Sequence, residues 1–124
     1  MGYKIDFVDT ERNRMKTTWD SAWTIDDAQE YYNAVIIEIN KFGGKPWTLM
    51  VNQKQFKPAD TVATELLKEI GVSMVESGLE KIALIVDDRI AKIQMTRVAL
   101  QSGLQKLMKF STSEEEARII LGWD

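Results

Sequence analysis

The segment KIALIVDD (81–88) constrains this 124-residue chain more than any other. From Ile82 to Val86 it is apolar without a break. A strand with one wet face alternates apolar and polar residues, whereas one covered on both faces reads as a continuous run. The run therefore predicts a central strand with layers packed above and below it. Helical patterns flank it. From Thr61, the residues Ala63, Leu66, Leu67, Ile70 and Met74 share one helical face, and Gly78 ends the pattern. A third helix is predicted from about Arg89 to Ser102, stopped by Gly103.

The remaining segments complete an order. YKIDFVD (3–9) and RMKTTW (14–19) alternate, and the polar turn TERN (10–13) joins them as a hairpin. Thr24 reads as an N-cap, with Asp27 completing a weaker form of the capping box. The helix from there through Lys41 carries an apolar stripe of Ile25, Ala28, Tyr32, Val35, Ile36 and Ile39. Tyr31 falls off that stripe and is expected at the surface. Gly43 and Gly44 terminate the helix, WTLMV (47–51) reads as a buried strand, and NQKQFKPAD (52–60) as a long loop. KLMKF (106–110) is a short fifth strand. Ser111 or Ser113 then caps a last helix, whose Glu114, Glu115 and Glu116 suit the positive end of the helix dipole. The order is ββαβαβαβα: an α/β fold in one domain over 1–124. It has a mostly parallel five-stranded sheet, an N-terminal β-hairpin and four helices.

Composition narrows function by exclusion. There is no Cys, which removes thiolate nucleophiles, disulfides and Cys-based zinc sites. There is no His, the commonest general base near neutral pH. A net charge of −3 with scattered Lys and Arg argues against a nucleic-acid partner. No apolar run has the length of a membrane span, the N-terminus lacks an apolar leader core, and Asp6 stands where a myristoylation signal needs Ser or Thr. The expectation is a cytoplasmic protein without membrane insertion, metal or cofactor.

Three groups of residues carry candidate chemistry. Asp60, Asp87 and Asp88 follow the third and fourth strands, where ligands collect in open α/β sheets. Together they would form a carboxylate cluster for a cation or for an enzyme. Separately, Asp60 and Asp88 are helix caps. The third helix presents three faces: a small apolar one (Ala91, Met95, Val98, Ser102), a second apolar one (Ile93, Leu100), and a mostly polar stripe (Ile90, Gln94, Arg97, Gln101). Ile93, Gln94, Arg97 and Leu100 are the candidate interface, for a homodimer or another protein. Trp19, Trp23, Trp47 and Trp123 either close the core or line an apolar ligand cleft.

The second half of the chain, KIALIVDDRIAKIQMTRVALQSGLQKLMKFSTSEEEARIILGW (81–123), resembles the SpoIIAA-like proteins of the STAS/SEC14-like group of bacteria. The likeness lies in the ALIV strand, the acidic turn, a helix with scattered Gln, Met and Arg, and a short strand ending in Phe110 before the acidic EEA (115–117). That group includes anti-sigma-factor antagonists and the cytoplasmic domains of sulfate transporters. The antagonists carry a phosphorylatable Ser in D-S-S-G-L-G at the start of the second helix. Here ADTVATELL (59–67) occupies that place, so Asp60 and Thr61 stand where Asp-Ser is expected, while V-A-T-E replaces the following S-G-L-G.

The resemblance implies a non-catalytic cytosolic interaction or regulatory domain, with Thr61 and Asp60 as the regulatory position. Its partner would be a protein such as a regulatory kinase or a membrane-transport component. The alternatives are a SEC14-like carrier of an apolar small molecule and, third, an enzyme using the Asp residues at the strand ends.

Overall fold

A computed structural model describes residues 2–124. Met1, the first residue of the predicted domain span, lies outside them. Strands β1 (Tyr3–Asp9) and β2 (Arg14–Ala22) form the antiparallel hairpin. Its turn is held by Asp9, whose carboxylate accepts the backbone N–H groups of Glu11 (3.0 Å) and Arg12 (3.1 Å). Asn13 closes the turn at φ 54°, a left-handed conformation that Asn tolerates. Strands β3 (Trp47–Lys57), β4 (Leu79–Ile85) and β5 (Met108–Ser111) follow, each parallel to the strand before it. The sheet order is β1-β2-β3-β4-β5, so β4 is interior and β1 and β5 are the edges.

Helices α1 (Ile25–Asn40), α2 (Thr61–Glu76) and α3 (Arg89–Ser102) pack on one face, and α4 (Glu114–Leu121) on the other. Alternation along the central strands divides the two layers. Leu49, Val51, Ile82 and Leu84 join the core under α1–α3, while Met50, Ala83 and Ile85 meet Ala117, Leu121 and Trp123. The unbroken apolar run of β4 is thus covered on both sides, as its sequence requires. The capping box at Thr24 is formed, with the Thr24 N–H on Asp27 Oδ2 at 2.9 Å, and Ser113 rather than Ser111 caps α4.

Two expectations are corrected. Residues 52–57 are strand, not loop: β3 continues to Lys57, pairing Gln55, Phe56 and Lys57 with Asp20, Ser21 and Ala22 of an equally extended β2. The alternation is hidden because the pairing slips. Between the Thr18–Asn52 and Asp20–Gln55 pairs, β2 spends one residue, Trp19, and β3 two, Gln53 and Lys54. Such a bulge puts Phe56 out of phase with Leu49 and Val51, yet leaves it fully buried.

Tyr31 is also buried, not exposed: α1 buries Ala28, Tyr31, Val35 and Ile39 and leaves Ile25 at the surface. Its hydroxyl shares a hydrogen bond with Thr17 Oγ1 at 3.1 Å, and its ring packs against Trp19, Trp23 and Tyr3. Tyr32, assigned to the stripe, is half-buried and reaches Ser73 Oγ on α2 at 3.0 Å.

All four Trp belong to the packed interior. Trp23 donates to the Gly2 carbonyl (2.7 Å), Trp47 to Ser77 Oγ (3.1 Å) and Trp123 to Thr48 Oγ1 (2.8 Å). Trp19 Nε1 has no partner among the described residues, so its place rests on packing alone. Gly71 lets α2 and α3 approach closely. A Cβ there would stand 2.6 Å from Ser102 Oγ and 3.0 Å from Leu104.

Candidate functional site: the groove between two helices

At the carboxyl ends of β3 and β4 the chain turns into α2 and α3, and each helix begins on an Asp. Asp60 Oδ1 accepts the Ala63 N–H at 2.7 Å, and Asp88 Oδ1 accepts the Ala91 N–H at 2.9 Å. Each satisfies a backbone donor that the first helical turn leaves without an intrahelical partner. Thr64 Oγ1 donates to the Asp60 carbonyl at 2.8 Å, adding a second tie at the same corner. Two of the three carboxylates proposed as a cluster, Asp60 and Asp88, are therefore occupied separately as caps, and Asp87 is exposed. Among the described residues no three acidic side chains converge as a cation site.

Gln94, on α3, has a partner that its sequence position does not reveal. Its amide oxygen accepts the Ala59 N–H and its amide nitrogen donates to the Ala59 carbonyl, both at 2.8 Å. One side chain thus satisfies both polar groups of the residue preceding the α2 cap. The short loop 58–60 is fixed to α3, and with it the position of Thr61.

Beside that clamp, α2 and α3 enclose a groove of about 320 Å³, lined by Thr61, Thr64, Glu65 and Lys68 on one wall and Gln94, Arg97 and Gln101 on the other. Lys68 is neutralised by Glu65 at 2.9 Å. Arg97 has no carboxylate within 4.0 Å among the described residues. The groove is thus rich in hydrogen-bonding groups and, among the described residues, holds the Arg97 guanidinium without a carboxylate partner. Sequence reasoning overlooked Thr64 and Lys68 here. Their spacing from Thr61 (three and seven residues on) puts all three on one helical face, which is a signal the sequence does contain.

Thr61, Gln94 and Arg97 are brought together. Ile93 and Leu100 are not: they lie on the outward side of α3, 48% and 55% exposed, and do not line the groove. Gln53, which sequence reasoning did not single out, is fully buried at the bulge, and neither of its amide atoms has a partner among the described residues. Among the described residues the apolar core encloses a small void, about 20 Å³, between Trp19, Tyr31, Gly71 and Leu104 among others. That volume suits a single water and is far too small for a lipid-sized ligand. No described helix is long and apolar enough to cross a membrane.

This architecture is a SpoIIAA-like fold, a mixed five-stranded sheet with four helices. The chain is similar to a solved structure, an uncharacterized protein from the DUF3478 family with a SpoIIAA-like fold from Shewanella loihica PV-4. The TM-score is 0.68 at 15% identity, over 94% of this chain and 90% of that one. No family model and no curated protein matches the sequence. The fold resemblance read from residues 81–123 is borne out, and at this identity the likeness concerns the fold alone.

Proposed function

We propose that the chain is a non-catalytic, cytosolic protein-interaction module of the STAS type, working through the α2–α3 groove and the outward side of α3. The observation that carries this reading is the convergence of Thr61, Gln94 and Arg97 on one groove. In the fold-level resemblance, the start of the second helix is the regulatory position. Here that position carries an exposed hydroxyl beside an unneutralised Arg97.

A phosphate on Thr61 would meet the free N–H groups and positive dipole end of α2. Glu65, on the same helix face, would oppose it. Regulation by Thr61 is thus the finer part of the proposal, and interaction through the groove does not depend on it. The carrier alternative is disfavoured by the size of the core void, about 20 Å³ among the described residues.

Affinity capture from a native lysate tests the proposal, using the wild type and the double variant Ile93→Asp/Arg97→Ala, with sedimentation of each to read self-association. Both positions are exposed, so the fold is retained and circular dichroism checks it. A protein captured by the wild type and lost from the variant, or a wild-type dimer dissociated in the variant, is the expected result. Unchanged capture and unchanged sedimentation would place the working surface elsewhere.

A further inference from the structure

Residues 89–113 contain five Lys and Arg and no Asp or Glu, in a chain whose net charge is −3. On α3 this asymmetry is concentrated on the side turned away from the core. Arg89, Lys92 and Arg97 stand there with Ile90, Ile93 and Leu100, and all six are exposed. None of the three cations has a carboxylate within 4.0 Å among the described residues. Lys92 instead lies over the Phe110 ring at 5.1 Å. The acidic groups around this face are few. Asp87 and Asp88 sit at its amino end, with Asp88 engaged as a cap, and Glu65 lies across the groove paired with Lys68.

Exposed aliphatic side chains interleaved with unneutralised cations, on an otherwise acidic protein, define a surface whose complement is both apolar and negative. Building on the interaction-module reading, we infer that the outward face of α3 and the adjoining groove bind an acidic amphipathic segment of another protein. The segment's carboxylates take Arg97, Lys92 and Arg89, and its aliphatic residues cover Ile93 and Leu100. Arg97 is the residue common to both surfaces, since it also lines the groove.

Other negative occupants fit less well. A bilayer surface is flat and cannot follow Arg97 into a concave groove beside Glu65. A nucleic-acid backbone neutralises cations but gains nothing from Ile90, Ile93 and Leu100, which are 66%, 48% and 55% exposed. An acidic helix or extended segment uses both halves of the surface at once.

The test titrates the isotopically labelled full chain with three defined probes, followed by amide chemical shifts. The first is a helical peptide of Glu and Leu with one apolar face; the second is its Lys and Leu counterpart; the third is phosphatidylserine vesicles. The acidic peptide is expected to shift amides of residues 89–101 and of the groove wall of α2. Its affinity should fall by about tenfold as salt screens the pairs. The exchange Lys92→Glu/Arg97→Glu should abolish the shifts, and the milder Lys92→Gln/Arg97→Gln should weaken them while the free protein's spectrum changes only around the two substituted positions.

Equal binding of the basic peptide, shifts elsewhere on the protein, vesicle binding without a peptide response, or no response to any probe would each overturn the inference. The two proposals fail separately. A lysate partner that is lost from Ile93→Asp/Arg97→Ala but retained by Lys92→Glu/Arg97→Glu keeps the interaction module and removes the acidic partner.

Discussion

The side-chain amide of Gln94 pairs with both backbone polar groups of Ala59, at 2.8 Å in each direction, so α3 fixes the start of α2. Ala59 is itself nearly inaccessible to water, which makes the pairing hard to replace by solvent. Removing it with Gln94→Ala leaves a buried donor and acceptor unmet and is expected to cost about 1–3 kcal/mol, measured by urea unfolding. Amide exchange at Ala59 should accelerate, while that of the β4 amides follows only the global loss. Gln94→Glu separates charge from shape. An ionised carboxylate repels the Ala59 carbonyl, so its folded pKa is raised. The variant should therefore approach wild-type stability below the ordinary Glu pKa of about 4.3 and lose it as pH rises.

Asp60 and Thr61 are adjacent but are predicted to behave differently. Asp60→Ala removes the cap accepted from Ala63 and should cost about 1 kcal/mol, with Asp60→Asn close to neutral. Thr61 is exposed and its hydroxyl has no hydrogen-bond partner among the described residues, so Thr61→Ala should stay within about 0.5 kcal/mol. Thermal unfolding of the three variants reads both. Intact-mass analysis of protein from its native host then reports whether Thr61 carries phosphate.

Gln53 reverses the usual sign of a core substitution. Both its amide atoms are buried without partners among the described residues, a desolvation penalty that a side chain of similar shape avoids. Gln53→Met is expected to stabilise the protein by about 1–2 kcal/mol in chemical denaturation. A loss of stability would mean that the amide is hydrogen-bonded to internal water.

Burial pushes the Tyr31 hydroxyl up to about 12, against the hydrogen bond from Thr17 that favours ionisation. The unfolded chain ionises this phenol near the ordinary value of 10.0, and the folded chain resists. Below that pH the group contributes no pH dependence. As pH rises from about 10 towards 12, proton release favours the unfolded chain and stability falls. Tyr31→Phe should show less of this alkaline loss than the wild type, at the expense of the Thr17 bond at neutral pH. Unfolding free energies of both proteins across pH 8–12 decide it.

The order of elements, the central strand and the starts of the first three helices were legible in the sequence, because each depends on local periodicity and on caps within a few residues; for α4 the sequence left Ser111 and Ser113 both open. Ile82–Val86 had to be covered on both faces, and Thr24, Asp60 and Asp88 had to begin helices, whatever surrounds them. The second apolar face of α3 could likewise be read from Ile93 and Leu100. Residues 52–57 and Tyr31 could not be placed in this way. A bulge opposite Trp19 shifts the phase of β3, and a partner hydroxyl on β2 draws Tyr31 inward. Both depend on pairing with another element. Nor could local spacing show that Gln94 spends its amide on Ala59, or that Lys68 is paired with Glu65 while Arg97 has no carboxylate within 4.0 Å among the described residues. Sequence by itself determined the order of the elements and the segments whose periodicity is unbroken. Tertiary structure alone decided which polar groups are used up inside the fold and which remain for a partner, because that depends on distances between residues far apart in the chain.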